Sequence, residues 1–131
     1  GQYAWEAIKQ SHPYFELGRR LFKEKKYQEV IEAYQEANQL FPLSYKALFN
    51  QAVAKMSLSA YADALIDLQK SLIMEPNDFL STLYLAACYY HLGDYKRSKL
   101  AAEKAGELKA DPRVDDLLAD VNQILAASNQ S

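Results

Sequence analysis

Apolar residues recur three and four positions apart along almost the whole chain, with polar residues between them. That spacing collects the apolar side chains on one face of an α-helix. Tyr14, Leu17, Gly18 and Leu21 share one such face, and Val30, Tyr34 and Ala37 share the next. The second helix should end before Pro42, because proline lacks the amide proton and constrains the residue before it. Leu48 and Ala52, then Tyr61, Ala64, Leu68 and Ser71, renew the pattern. Thr82, Leu85, Ala86 and Tyr89, then Tyr95, Ser98, Ala102 and Ala105, renew it again. Four Gly and four Pro leave little room for sheet turns, so the chain reads as all-α.

The renewal has a fixed period. Tyr27, Tyr61 and Tyr95 lie 34 residues apart, as do Pro42 and Pro76. A period of that length marks an array of helix–turn–helix units. The units run over 11–44, 45–78 and 79–112. Small residues recur at Gly18, Ala52 and Ala86, and at Ala37, Ser71 and Ala105. Helices that cross closely need small side chains at the crossing. After the third unit, Asp111 is a good N-cap and Pro112 suits a first helical turn. Val114, Leu117, Leu118, Val121, Ile124 and Leu125 then form one apolar stripe. A stacked array leaves its last unit with a bare apolar face, so 113–127 is expected to be a capping helix. Residues 128–131 are expected to be a frayed tail. Residues 1–10 do not fit the repeat and are expected to form an arm or a short helix. That segment carries Trp5, the only tryptophan.

Composition narrows the function. A formal net charge of -2 does not suit a phosphate-dominated partner, so no nucleic acid is expected. No apolar run is long enough to span a bilayer, so no membrane insertion is expected. Cys88 is the single cysteine, on an apolar face, and is expected to be a buried thiol. His12 and His91 sit in different units and make no ligand set with it. No glycine-rich phosphate loop or nucleophile elbow is present. No catalytic residue, metal or cofactor is expected. The compartment stays open. A single thiol fits a reducing cytosol, and the chain starts at Gly1, so a targeting segment ahead of it remains open.

Across residues 11–112 the pattern resembles the tetratricopeptide repeat (TPR) family. The resemblance implies a right-handed solenoid of three repeats, an N-terminal segment and the capping helix. Two departures mark the second unit: Gln51 and Lys55 stand where the family usually has Leu and Tyr. In that family the first helices of successive units line a concave groove. Carried onto this chain, the groove positions include Phe15, Arg19 and Phe22, then Phe49, Asn50, Val53 and Met56, then Leu80, Leu83, Tyr84 and Tyr90. These rows are apolar where the core does not require it, and an open apolar patch marks a binding site. One subgroup of the family clamps the C-terminal carboxylate of heat-shock chaperones with Lys, Asn and Arg side chains. Here the clamp places hold Phe15, Arg19, Asn50, Leu80 and Tyr84, and only Asn50 matches. The third unit also resembles the three-repeat chaperones of type III secretion.

The resemblance and the apolar rows imply a noncatalytic adaptor or chaperone-like module that holds an apolar segment of a partner protein. The alternative is a self-assembling scaffold. Arg19, Arg20, Lys23, Lys25 and Lys26 gather in the first unit, while Glu103, Glu107, Asp111, Asp115, Asp116 and Asp120 gather near the far end. Opposed ends, or the arm at 1–10, would then join copies into a homo-oligomer.

Overall fold

In the computed structural model, which describes residues 1–130, seven helices follow one another without a strand among the described residues. They are α1 (Gln2–Lys23), α2 (Tyr27–Leu40), α3 (Tyr45–Ser57), α4 (Tyr61–Met74), α5 (Phe79–His91), α6 (Tyr95–Leu108) and α7 (Pro112–Gln130). Tyr27, Tyr61 and Tyr95 each open the second helix of a pair. The pairs α1/α2, α3/α4 and α5/α6 make the densest contacts, and each pair packs on the next. The result is the all-α solenoid that the period implies.

The joints explain why the helices stop and start where they do. The turn inside each pair places one residue in the left-handed region: Lys25 at φ 60°, Ser59 at φ 61° and Gly93 at φ 81°. Between pairs, side chains cap the new helix. Ser44 Oγ accepts from the Ala47 amide at 3.2 Å, and Asp78 Oδ2 accepts from the Ser81 amide at 3.0 Å. Asp111 Oδ1 accepts from the Arg113 amide at 2.9 Å at the start of α7. Each bond satisfies a backbone donor that the helix itself cannot.

The core is a chain of small clusters instead of one mass. Leu21, Val30, Tyr34 and Leu48 anchor the first, and Ala52, Ala64, Leu68 and Cys88 bridge the second and third pairs. Val114 of α7 packs with Leu83 and Ala105, and Leu117 and Leu118 lie against Ala86, Ala101 and Ala102. Buried hydroxyls lock pairs together. Ser71 Oγ donates to the Tyr45 carbonyl at 3.1 Å, and Ser98 Oγ donates to the Ala86 carbonyl at 2.8 Å.

Two boundaries differ from the expectation. The arm at 1–10 is no separate segment, because α1 runs unbroken from Gln2 through Pro13 to Lys23. Proline removes one helical hydrogen bond there. Just before it, Ser11 Oγ donates to the Ile8 carbonyl at 3.0 Å. The groove is therefore not filled by the chain's own first residues. At the other end, α7 continues through the expected tail to Gln130, and Ser131 lies outside the described residues.

Candidate protein-binding groove

The first helices α1, α3 and α5 carry the residues that the repeat register assigns to the groove. Phe49 on α3 and Tyr84 on α5 stack face to face, with ring centroids 5.4 Å apart and planes 10° from parallel. Both rings are half-buried, so each keeps surface open to a partner. Val53 and Met56 lie along the same helix as Phe49 and are also half-buried. Leu80, one turn before Tyr84, is 39% exposed. These five form the open apolar part of the site.

On α1 the site is more committed to the fold. Phe15 leans on the ring of Tyr34 at 6.4 Å, and Phe22 meets Tyr27 edge-on at 6.3 Å. Asn50 donates its amide to the Tyr34 hydroxyl at 3.3 Å. Burial pushes the Tyr34 phenol above its ordinary pKa, so it remains a neutral partner for that amide. Arg19 is exposed but bound to Glu16 at 2.6 Å, which offsets its charge. The five clamp places thus present two aromatic rings, a leucine, an engaged amide and a paired guanidinium.

Leu83 is a correction. It is only 3% exposed and packs on Ala105 and Val114. Its register equivalent Phe49 meets the next first helix in the row, at Tyr84 of α5. For Leu83 that neighbour is α7, whose apolar stripe takes the side chain into the core. Tyr90 sits in an aromatic cluster. It meets His91 and Tyr95 edge-on, each at 5.6 Å, and His91 stacks on Tyr61 at 4.3 Å. The sequence places Tyr61 and Tyr95 at the period and on apolar faces, and their ring contacts with His91 and Tyr90 carry no signal in it.

A second missed feature explains the two departures of the second unit. Asp67 on α4 is buried, and its Oδ2 accepts from Gln51 Nε2 at 3.0 Å and from Lys55 Nζ at 2.8 Å. Gln51 and Lys55 lie one helical turn apart on α3, which places both against the same carboxylate. The signal was present as two anomalous polar residues, but their partner is visible only once α3 and α4 are paired.

Among the described residues, no group of three or more His, Cys, Asp or Glu side chains is placed to hold a metal ion. No helix among them is long and apolar enough to cross a membrane.

No family profile matches the chain. The chain is 28% identical over 116 residues to an Hsp70-Hsp90 organizing protein 1 of Glycine max, covering 88% of this chain and 20% of that protein. It is 31% identical over 100 residues to the BBSome complex member BBS4 of Bos taurus, covering 76% of this chain and 19% of that protein. The chain thus spans about a fifth of the length of the curated relatives it matches. Among solved structures, the first TPR of Spaghetti (RPAP3), bound to the HSP90 peptide SRMEEVD, superposes with a TM-score of 0.82 at 23% identity. That match covers 90% of this chain and 94% of the other. The Yersinia enterocolitica type III secretion chaperone SycD, in complex with a peptide of the translocator YopD, superposes with a TM-score of 0.78 at 15% identity, covering 88% and 94%.

Proposed function

We propose that this chain, whose fold is that of a tetratricopeptide-repeat domain, is a noncatalytic protein-interaction module that holds an apolar segment of a partner. The observation that carries the reading is the Phe49–Tyr84 stack, half-buried and flanked by Val53, Met56 and Leu80. Two rings held parallel form an apolar platform, and their packing lowers the entropic cost of ordering them on binding. Phe15, Arg19 and Phe22 on α1, Asn50 on α3 and Tyr90 on α5 extend the site. Leu83 supports it from the core side.

Similar folds hold peptides, the acidic HSP90 peptide SRMEEVD on RPAP3 and a peptide of the translocator YopD on SycD. The side chains here favour an apolar segment over an acidic one. A terminal carboxylate needs several charge-assisted donors to offset its desolvation. At the matching places this chain offers Asn50, already bonded to Tyr34, and Arg19, already paired with Glu16. Burial of a few anchor side chains against the aromatic platform supplies the drive, at about 25 cal/mol per Å² of apolar area.

The test is capture from the source lysate, with wild type beside Phe49→Glu/Tyr84→Glu. The double variant should keep its helical circular dichroism and lose the partner. Titration with a peptide ending in EEVD runs in parallel and should give no saturable binding. Unchanged capture by the folded double variant, or tight EEVD binding, overturns the reading.

A second reading, self-assembly, draws on α1. Tyr3 and Trp5 at its start are 93% and 59% exposed, an apolar load without a covering element among the described residues. Light scattering of the chain with and without residues 1–10 tests it. A mass that rises with concentration only in the longer chain would favour it over the adaptor reading.

A further inference from the structure

The second helices α2, α4 and α6 each keep an exposed row, and the repeat puts equivalent positions at the same height. On α4 that row is apolar at its centre: Ile66 is 49% exposed and Ile73 80%. Ala62, Ile66, Gln69 and Ile73 are all exposed, at steps of four, three and four residues. That spacing makes one straight seam, with β-branched side chains at the places that favour two parallel helices. The buried Ala64, Asp67, Leu68 and Ser71 occupy the other side of α4, so the core does not require the seam.

The flanking helices carry opposite charge. α2 exposes Glu29, Glu32 and Glu36, none of them in an ion pair among the described residues. Arg20 and Lys26 stand beside them, but Lys26 is paired with Glu24 at 3.3 Å, so the strip stays acidic. α6 exposes Lys96, Arg97 and Lys104 and half-buries Lys99. Of these four, Arg97 is held by Asp94 at 2.7 Å, and the lysines are in no ion pair among the described residues.

A face graded from acid to base across an apolar seam is complementary to itself. A twofold axis along α4 lays each α2 beside the α6 of a second copy, with the helices parallel. An axis across the helices would set α2 on α2 and α6 on α6, like charge on like. In the parallel arrangement Ile66 and Ile73 meet their own copies. At matching heights Glu29 falls beside Lys96 and Arg97, and Glu36 beside Lys104. The α6 carboxylates Glu103 and Glu107 fall beside Gln35 and Gln39, not beside another carboxylate. We propose that the outer face of α2, α4 and α6 is a homodimer interface, in which α4 packs in parallel on α4 of a second copy. It uses none of the platform residues and none of residues 1–10.

The test is sedimentation velocity of the full chain from about 10 µM to 1 mM, a range suited to an interface at the small end of the size scale. The mass should rise from 14.9 kDa to twice that value and stop. Raising salt from about 50 to 500 mM should weaken association about tenfold, because the flanking charges are exposed. Ile66→Glu/Ile73→Glu changes only exposed side chains, so it should keep the helical circular dichroism and abolish the dimer. Charge exchange reads the orientation. Glu29→Lys/Glu36→Lys and Lys96→Glu/Lys104→Glu should each lose about tenfold in affinity alone, and an equimolar mixture should regain it. Phe49→Glu/Tyr84→Glu, and the chain without residues 1–10, should dimerise as wild type does. A monomer throughout the range overturns the proposal, as does a mass that grows past the dimer. So does a mixture no tighter than its parts. A dimer kept by Ile66→Glu/Ile73→Glu but lost with residues 1–10 or with the groove variant also overturns it, and assigns association to those places.

Discussion

The ring of Tyr34 occupies the space that a side chain on Gly18 would need. A β-carbon at Gly18 would stand 2.5 Å from Tyr34 Cε1 and 2.8 Å from Cδ1 and Cζ. The equivalent places trade volume: Ala52 shares its cluster with Leu68, and Ala86 shares its cluster with Ala102. The first pair of helices therefore uses a glycine to admit a tyrosine ring. That ring then reaches the groove through its bond to Asn50.

Gly18→Ala should destabilise the chain despite alanine's better helix propensity. Overpacking costs about 1–3 kcal/mol, and the helix regains up to about 1 kcal/mol. A rigid ring cannot yield as a flexible chain end would, so a net loss of about 1–2 kcal/mol is expected in urea unfolding. Gly18→Ala/Tyr34→Leu copies the second unit's arrangement and should recover the part due to the clash. A neutral single variant would show that α1 and α2 can slide apart without loss.

The three turn residues make a matched comparison. Lys25, Ser59 and Gly93 occupy equivalent places with φ of 60°, 61° and 81°. A residue with a β-carbon is strained there by about 1–2 kcal/mol, whereas glycine is not. A β-carbon at Gly93 would touch nothing within 4 Å, so Gly93→Ala isolates the backbone term. It should lower the unfolding free energy by about 1 kcal/mol. Ser59→Gly should raise it by up to about 1 kcal/mol, since the relieved strain is partly offset by glycine's entropy. Paired thermal melts would read both.

These positions also show what the sequence made legible. The 34-residue spacing of Tyr27, Tyr61 and Tyr95 announced where second helices begin, because a periodic array repeats its local environment. The same logic failed where the environment is not repeated. Leu83 shares its register with Phe49 yet lies under α7, and only the end of the array has that neighbour. The start of α1 before Ser11 was hidden because residues 1–10 lie outside the repeat, so no equivalent environment announces them. Phe49 and Tyr84 were each readable as positions on first helices, and α3 and α5 carry them. Their stacking was not, because it depends on how α3 and α5 approach across a pair boundary.

Cys88 should be silent toward thiol reagents in the native chain. It is fully buried, and burial raises its pKa to about 11. The nucleophile is the thiolate, which is scarce at neutral pH under those conditions. Ellman's reagent should label it only on unfolding, at a rate that follows denaturant. Rapid labelling without denaturant would mean that α3, α4 and α5 part readily.

Acid should weaken the joint before α7. Hydrogen bonds from Arg113 lower the Asp111 pKa from its ordinary 3.8 to about 2. A folded-state pKa below the unfolded one contributes stability above the unfolded value and loses it as pH falls through the folded one. The loss should therefore develop between about pH 4 and pH 2. Asp94, held down by Arg97, adds a contribution of the same sign. Asp111→Asn should flatten the dependence of melting temperature on pH in that window. An unchanged slope would assign the acid sensitivity to other carboxylates.

The buried trio of the second unit gives the sharpest contrast between breaking and replacing. Asp67 is 4% exposed and depends on Gln51 and Lys55 for its charge and hydrogen bonds. Removing one partner of a buried ion pair strands the other, at about 3–5 kcal/mol. The Lys55 side chain keeps 19% of its surface, so Lys55→Met should fall at the low end, about 3 kcal/mol. Replacing the whole set is different, because an apolar cluster of similar volume carries no desolvation penalty. Gln51→Leu/Lys55→Met/Asp67→Leu should match wild type or exceed it by about 1 kcal/mol or more. It also removes the orphan oxygen of Gln51. Urea unfolding of the singles and the triple measures the coupling directly. A triple as unstable as Lys55→Met alone would mean that the trio fixes how α3 sits on α4, beyond satisfying its own charges.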